Sequence, residues 1–198
     1  MKKDNNCTRR NEIIKTAYDL LLEKGYEDMG VQDILDRMGI TKGCLYYHFK
    51  SKRDIASAVI TETIKPHFEE LWKDICKDTD PLQGIIDALD RIFLTKCERL
   101  AKFGCPLGNL TAELSAKDAM LSKSISKIIS SWQLFIETAL DKAIDLKIVR
   151  SGINVSKISK FITASFEGCI MMAKSSQDKT VLEDCFSVLK DYLSSLRK

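Results

Sequence analysis

The longest apolar stripe of this chain runs through about seven turns of one predicted helix, within residues 119–147. Apolar residues recur there at intervals of three and four, which is the spacing of one face of an α-helix. The stripe consists of Ile125, Ile128, Ile129, Trp132, Phe135, Ile136, Ala139, Leu140 and Ile144. No segment of convincing length shows the two-residue alternation of a strand. The pattern therefore favours helices as the main structural element.

The distribution of glycine and proline supports the same fold class. The chain has 9 glycines and 3 prolines in 198 residues, so long segments contain no helix breaker. Gly25 and Gly39 follow amphipathic segments, as glycines at helix ends do, and Pro81 stands where a helix begins. Ser51 is the expected N-cap of a helix that Pro66 should kink or break. We predict an all-α fold with about nine helices.

Composition narrows the class of protein. Hydrophobic residues make up 44% and charged residues 30%, as in an ordinary globular protein with a substantial core. The seven cysteines include no Cys-x-x-Cys pair, and the two histidines lack ligand-like neighbours, so we expect reduced thiols and no metal or other cofactor. No signal peptide and no run of roughly 20 apolar residues is present. We therefore expect a soluble, cytoplasmic protein without a membrane partner.

Charges are evenly mixed along the chain except between Asp36 and Asp54. That interval contains no acidic residue, although the net charge of the chain is only +3. It contains five cationic residues, two tyrosines and a histidine: Arg37, Lys42, Lys50, Lys52, Arg53, Tyr46, Tyr47 and His48. Two short helices joined by Gly39-Ile40-Thr41 fit a helix-turn-helix, with Thr41 as the N-cap that directs free N–H groups at phosphate. A basic helix of this kind predicts binding to DNA.

The same segment closely resembles the signature of the TetR (tetracycline-repressor) family. The resemblance is carried by Asp33-Ile34 and by Gly39-Ile40-Thr41-Lys42-Gly43-Cys44-Leu45-Tyr46-Tyr47-His48-Phe49-Lys50-Ser51-Lys52. It covers about the first 55 residues, whereas the rest of the chain agrees only in length and helix layout. It implies a helix-turn-helix domain at 1–52 and a ligand-binding and dimerisation domain at 53–198. In the family, the helix from Thr41 to His48 enters the major groove.

Carrying the family pattern over residue by residue gives the predicted DNA contacts. The matching positions are Lys42, Tyr46, Tyr47, His48 and the phosphate-binding Lys52, with Gly43 small enough for close approach and Thr41 as cap. Arg37 and Cys44 depart from the pattern, because arginine replaces a usual alanine and cysteine a usual serine or threonine. We include both among the contacts. The alternative for the two tyrosines and the histidine is packing on a solvated basic face.

Two apolar helices are predicted at about 155–175 and 179–196. Both are too apolar for the surface of a monomer, so we expect a four-helix interface in a homodimer. The expected interface residues are Phe161, Ser165, Gly168, Cys169, Met172, Leu182, Phe186, Leu189 and Leu193. The alternative is that these helices only cover the core.

An effector pocket is expected between the helix opened by Ser51 and the helices of 82–103, 107–115 and 119–147. The candidate lining is His67, Phe68, Trp72, Phe93, Phe103, Cys105, Leu107, Leu110, Trp132, Phe135 and Phe166. So aromatic a set favours a small, largely apolar effector, although each of these residues is also an ordinary core residue. Cys105 precedes a predicted helix start, where a thiolate is favoured, so a redox or electrophile sensor is an alternative to a plain turn residue.

An enzyme is the competing class of function. The chain has no phosphate-binding glycine loop and no His-Glu-x-x-His, and neither histidine has a plausible triad partner in the sequence. The scattered positions of the cysteines and histidines argue against a third class, a metal-responsive regulator. The sequence thus predicts a non-enzymatic, ligand-responsive repressor, which a small effector releases from a palindromic double-stranded operator.

Overall fold

A computed structural model describes the backbone of residues 2–76 and 79–198, and the side chains of 8–76 and 79–198. Its helices are α1 (Lys2–Asp28), α2 (Val31–Met38), α3 (Lys42–His48), α4 (Lys52–Ala58), a π-helical segment (Val59–Ile64), α5 (Lys65–Trp72), α6 (Pro81–Phe103), α7 (Pro106–Leu114), α8 (Ala119–Asp145), α9 (Val155–Ser176) and α10 (Lys179–Ser194). With 52–72 counted as one continuous helix, these described residues form nine helices, which confirms the predicted all-α fold.

Among the described residues, polar side chains cap the N-termini of six helices, including α8, where Asp118 accepts from the N–H groups of Met120 and Leu121. Thr41, Ser51, Asp80, Asn154 and Asp178 each accept a hydrogen bond from a backbone N–H group two or three residues later. Each cap satisfies at least one of the N–H groups that have no partner within the first turn. The predicted caps at Thr41 and Ser51 are therefore confirmed.

Two glycines end helical runs in the conformations that favour glycine. Gly39 closes α2 in the left-handed region with φ 62°, as predicted. Gly25 interrupts α1 with φ 81° and ψ 175°, and a further short helical stretch then leads to Asp28. The first helical run thus ends at Gly25, as its apolar pattern predicts.

The helix that Ser51 opens continues through Pro66 to Trp72, so the predicted break at this proline is wrong. The irregularity lies one turn earlier, in the π-helical segment, where the N–H group of Lys65 donates to the carbonyl oxygen of Ile60. Proline has no N–H group, and its ring presses on the carbonyl group four residues before it. The wider turn of the π segment relieves that crowding, and the helix continues.

The described residues divide into two compact units. The N-terminal unit contains residues 2–67 and 106–126, and the C-terminal unit contains 68–105 and 127–198. The predicted domain boundary after residue 52 remains a prediction. None of the helices among the described residues is long and apolar enough to span a bilayer.

Each unit has its own apolar core. In the N-terminal unit, the helices from α1 to α4 and the π-helical segment bury Ile13, Ala17, Leu20, Ile34, Leu45, Phe49, Ile55 and Ile60. In the C-terminal unit, α6, α9 and α10 pack together and α8 contributes its apolar stripe. Ion pairs connect α10 and the end of the chain to the α6 region: Lys190 with Asp90 and Arg197 with Asp80, each at 2.6 Å. These cores hold the two surfaces described next.

Candidate functional site

Helix α3 is held in place by one buried face. It has only seven residues, too few for a helix to be stable by its own hydrogen bonds. Leu45 is completely buried and Phe49 nearly so. The Arg10 guanidinium lies 5.1 Å from the centre of the Phe49 ring, which adds a cation–π contact at the end of the helix. Burial of this face fixes which residues the helix presents to solvent.

The opposite face of α3 is polar and aromatic, and it is accessible. Lys42 and Gly43 are exposed, and the rings of Tyr46 and Tyr47 are 48% and 74% exposed. Tyr47 meets the His48 ring edge to face, with centroids 5.1 Å apart. Both rings lie on the accessible side of the helix, away from the buried Leu45. These two tyrosines therefore do not pack in the core.

Three of the other predicted DNA-contacting residues also interact within the chain. The Arg37 guanidinium binds both carboxylate oxygens of Glu23, at 3.0 and 2.7 Å. The Lys52 ammonium donates to the carbonyl oxygen of Glu27 at 2.9 Å and lies 4.5 Å from the centre of the Tyr26 ring. The Thr41 hydroxyl accepts from the N–H group of Cys44, whose side chain is half-buried. Lys42, Tyr46 and Tyr47 are thus the most accessible members of the predicted set.

A carboxylate from α7 binds the turn that follows the break in α1. Glu113 accepts hydrogen bonds from the N–H groups of Tyr26 at 2.8 Å and Glu27 at 3.1 Å. A Cβ atom at Gly25 would lie 2.7 Å from Oε1 of Glu113, so only glycine admits this approach. Glu113 has no local signal in the sequence, because its two partners lie 87 and 86 positions earlier.

Two ion pairs extend this contact on either side. Lys117 pairs with Glu27 at 2.8 Å. The hydrogen bond between them is the main cause that lowers the pKa of the Glu27 carboxyl group. Arg53, in the first turn of α4, pairs with Asp118 at 3.0 Å. We call Glu113, Lys117 and Asp118 the α7 clamp. It connects the segment around α7 to both the α1–α2 turn and the start of α4.

The matches to known families agree with this geometry. Residues 13–59 match the model of bacterial regulatory proteins of the tetR family, which covers the helix-turn-helix. Residues 81–189 match the model of the tetracyclin repressor-like C-terminal domain. The chain belongs to the TetR family. It is therefore a DNA-binding transcriptional regulator with a helix-turn-helix.

Individual TetR-family relatives align along nearly the whole chain. The chain is 32% identical over 182 residues to an HTH-type transcriptional regulator in the lacX 3′ region of Lactococcus lactis, covering 91% of each. It is 24% identical to the HTH-type transcriptional repressor DhaR of Mycobacterium sp. strain GP1, covering 93% of this chain and 91% of DhaR. The crystal structure of a TetR regulator from Chloroflexus aurantiacus matches with a TM-score of 0.88 and 26% identity, covering 100% of this chain and 98% of that one.

Four of the predicted pocket residues of this TetR-family chain form one ring cluster in the C-terminal unit. Trp132 has its ring centroid 5.7 Å from Phe68, 5.3 Å from Trp72 and 5.0 Å from Phe166. Phe186, which was expected at the dimer interface, stacks on Phe166 at 5.4 Å. We call these five residues the ring cluster. All of them are buried.

The other predicted pocket residues lie elsewhere. Phe93 and Phe135 are half-buried on α6 and α8, and Phe103 lies 5.0 Å from the Lys102 ammonium. His67 is half-buried, and Leu107 and Leu110 are buried in α7; these three belong to the N-terminal unit. The predicted set therefore divides between the two units, and the ring cluster is its largest coherent part.

The buried polar atoms without a hydrogen-bond partner among the described residues of the C-terminal unit include three in or next to the ring cluster. They are the indole nitrogens of Trp72 and Trp132 and the Oε1 atom of Glu167. Most buried polar groups in folded proteins are paired, so each such atom requires an explanation. Two of the three belong to touching rings of the ring cluster, and the third follows Phe166 in α9.

Glu167 carries a partly buried carboxyl group in the C-terminal unit. Its side chain is partly exposed, but the buried Oε1 atom is cut off from solvent. Burial raises the pKa of Glu167 to about 7, against a smaller lowering effect of a hydrogen bond with Cys105. The Glu167 carboxyl group is therefore partly protonated near neutral pH.

The surroundings of Cys105 do not support a redox sensor. Its side chain is buried and hydrogen-bonds to the carboxyl group of Glu167. A reactive thiolate is favoured by a positive or solvated environment, whereas burial beside a carboxyl group favours the thiol. The position beside the first turn of α7 is as predicted, but the chemistry indicates a structural cysteine.

Helices α9 and α10 each carry an outward stripe at the same spacing. On α9 it consists of the exposed Phe161 and Met172 with the half-buried Ser165 and Gly168, all four predicted for the dimer interface. On α10 the outward positions are Val181, Cys185, Val188 and Tyr192. The predicted interface residues Cys169, Leu182, Phe186, Leu189 and Leu193 are instead buried within their own chain. The α10 residues among them pack in the core and leave little surface for a partner.

Removing the Glu113 carboxylate should loosen the α1–α2 turn. Glu113→Ala deletes two hydrogen bonds to a charged acceptor, so we expect the free energy of unfolding to fall by about 1–3 kcal/mol. The amide protons of Tyr26 and Glu27 should also exchange faster with solvent. Denaturant unfolding and hydrogen exchange measure the two effects. Glu183→Ala, the same change at an exposed site on α10, is the control and should change neither quantity.

The raised pKa of Glu167 should appear in the dependence of stability on pH. A carboxyl group whose folded pKa exceeds its unfolded pKa stabilises the fold at low pH, and that contribution is lost as the pH rises through about 7. The full difference corresponds to about 3 kcal/mol. Glu167→Gln should therefore gain stability relative to the parent between pH 5 and pH 8.5, measured by denaturant unfolding. Parallel curves for the two proteins would contradict this assignment.

Proposed function

We propose that the protein is a homodimeric repressor, which binds a palindromic operator through α3 and is released by a small, largely apolar effector. The observation that supports DNA reading best is the accessible face of Lys42, Tyr46 and Tyr47 opposite a fully buried Leu45. A rigid helix with a cationic and hydrogen-bonding face is suited to the major groove. The relative DhaR carries the name of a transcriptional repressor.

Individual contacts follow from position and chemistry. Lys42 and Tyr46 face outward from the first two turns of α3, where base edges and phosphates are within reach of a docked helix. Lys52 keeps N–H donors to spare after its bond to the Glu27 carbonyl group, since an ammonium group has three. We assign Lys52 to a phosphate. Arg37 is held by Glu23 and would have to exchange that pair for DNA.

The dimer would form through the outward stripes of α9 and α10. Both stripes step by four, three and four residues, which is the spacing of helix pairs that pack at a shallow angle. The Phe161 and Tyr192 rings meet edge to face at 4.9 Å, so the two stripes form one apolar surface. Four such helices, two from each chain, make a four-helix interface with twofold symmetry. That symmetry matches a palindromic operator.

The switch requires effector binding to change the presentation of α3. Two covalent routes lead out of the N-terminal unit: the helix from Lys52 to Trp72 and the segment around α7. The α7 clamp attaches the second route to the α1–α2 turn and to Arg53. A coupling of about 1–3 kcal/mol weakens operator binding roughly 5- to 150-fold, and DNA must weaken effector binding equally. The clamp has four polar contacts, two hydrogen bonds and two ion pairs, and their combined strength is sufficient for that coupling.

Charge removal should separate phosphate contacts from base contacts. Lys52→Ala should weaken binding to all DNA sequences alike and reduce the salt dependence by about one phosphate contact. Lys42→Ala and Tyr46→Phe should instead change the preference among operator variants. Fluorescence anisotropy at several salt concentrations measures both effects. Lys127→Ala removes the same charge from an exposed site on α8 and should leave the affinity unchanged; a sequence-dependent loss with Lys52→Ala would reject the phosphate assignment.

A charged side chain in the outward stripe of α10 should dissociate the dimer into monomers. Val188 is 69% exposed within one chain, so Val188→Glu should leave the fold intact while it places a carboxylate in the proposed interface. Sedimentation at micromolar concentration should then show a monomer with much weaker operator binding. Leu94→Glu is the matched control, because Leu94 is 79% exposed on α6 outside both stripes and should keep the dimer. A dimeric Val188→Glu protein would place the interface elsewhere.

A further inference from the structure

We propose that Arg10 is a positioning residue for α3: it connects the end of this helix to the π-helical segment and thereby sets the orientation in which α3 meets DNA. The inference deepens the proposed function and rests on it for the role of α3 in reading DNA. The residues that carry it all lie within the N-terminal unit. Their effect on α3 can be measured without DNA.

The Arg10 guanidinium on α1 contacts two other elements at once. One of its nitrogens donates to Oε2 of Glu62 at 2.6 Å, and another donates to Oε1 at 2.7 Å. The same group lies 5.1 Å from the centre of the Phe49 ring. Glu62 belongs to the π-helical segment, and Phe49 is the C-cap of α3. One side chain thus joins three elements of the unit.

The double hydrogen bond between Arg10 and Glu62 fixes the plane of the guanidinium group. Two parallel bonds to one carboxylate add geometric specificity, which a single ammonium group could not supply. The hydrogen bond from Arg10 is also the main cause that lowers the pKa of Glu62, so this carboxyl group is ionised at neutral pH. The two side chains keep 36% and 44% of their surface exposed, so the pair contributes modestly to stability. We therefore expect it to orient α3 rather than to hold the unit together.

The contact acts on the end of α3 that is close to the exposed tyrosines. Thr41 caps the start of the helix, whereas at its end the N–H group of Phe49 donates to the carbonyl oxygen of Leu45 at 3.0 Å. Tyr46 and Tyr47 lie between these two residues, in the same turn. A rotation of that turn would therefore move both tyrosines. A cation held against the buried Phe49 ring opposes such a rotation.

The position of Glu62 connects this contact to regulation. The π-helical segment belongs to the helix from Lys52 to Trp72, which is the first of the two routes out of the N-terminal unit. π-helical turns are rare and occur frequently at functional sites. A change in these turns would move the Glu62 carboxylate, and the double hydrogen bond would pass the movement to Arg10 and the Phe49 ring. Arg10 thus gives the route a direct contact with the end of α3.

Removing the charge of Glu62 distinguishes positioning from electrostatics. Glu62→Gln takes a negative charge away from the DNA-binding unit, so by charge alone it should strengthen binding to any duplex. If Arg10 positions α3, binding to a duplex that the parent selects from a randomised DNA pool should instead weaken roughly two- to fivefold. Binding to a random-sequence duplex should not weaken, because it depends on charge rather than on the orientation of α3.

Fluorescence anisotropy with both duplexes measures the two affinities. Glu12→Gln is the matched control, because it removes the same charge from α1 at a carboxylate whose ion-pair partner, Arg9, lies in the same helix. It should weaken neither duplex. Unchanged or tighter binding of the selected duplex by Glu62→Gln would overturn the inference, and so would an equal loss with both duplexes.

A double variant tests whether Glu62 acts through Arg10. Arg10→Gln should weaken binding of the selected duplex at least as much as Glu62→Gln does, and the salt dependence should stay that of the parent. Adding Glu62→Gln should then cause no further loss, because the side chain through which Glu62 acts is gone. Additive losses would refute the assignment. A salt dependence reduced by about one phosphate contact would refute it too, because Arg10 would then bind DNA directly.

Hydrogen exchange separates this inference from the proposed function. The amide proton of Phe49 should exchange faster in Glu62→Gln than in the parent, whereas the hydrogen-bonded amide of Gly104 in the C-terminal unit should not change. Unchanged exchange at Phe49 would overturn the inference whatever the affinities are. If exchange at Phe49 rises but the parent selects no duplex from the pool, the connection from Glu62 to α3 is upheld and the proposed function is refuted.

Discussion

Burial of one side of α3 is the constraint on which the proposed DNA-reading surface depends. A helix of seven residues gains too little from its own hydrogen bonds to persist, so its orientation comes from the contacts of Leu45 and Phe49 with the helices behind it. Once these two side chains are buried, the helical repeat places Tyr46 and Tyr47 on the solvent-facing side of the helix. The reading surface is thus a consequence of packing on the opposite side, and substitutions in that core should change DNA binding without touching DNA.

Local chemistry in the sequence was enough to predict the fold class and most helix ends. Thr41, Ser51 and Gly39 act within three or four residues of themselves, so their roles can be inferred without knowledge of the fold. The accessible face of α3 could be predicted for the same reason. Pro66 shows the limit of such inference. The π-helical turn before it accommodates the proline ring within a continuous helix, and no single residue of the sequence predicts that turn.

Contacts between distant segments were beyond prediction from one sequence. Glu113 is an unremarkable acidic residue in its own segment, and only the fold brings it to Gly25 and the α1–α2 turn. Helix α10 presents a related difficulty, because it has two apolar stripes one residue apart. Periodicity identifies both stripes but does not indicate which one faces the chain's own core. The unpaired indole N–H groups of Trp72 and Trp132 could not be predicted either, because hydrogen bonding depends on which residues are neighbours in space.

The π-helical segment also changes the angular register of the helix that contains it. Buried residues in that helix follow one another in steps of four: Ala56, Ile60, Ile64, Phe68 and Trp72. In a regular α-helix, each step of four turns a side chain by about 40° beyond a full rotation, so four steps would wind the row by about 160°. The wider turns between Val59 and Ile64 take up part of that winding. The segment therefore accommodates about one extra residue, so deleting one there would shorten the helix but leave the angular register beyond it nearly unchanged. The same deletion in a regular α-helix would turn the residues beyond it by about 100°.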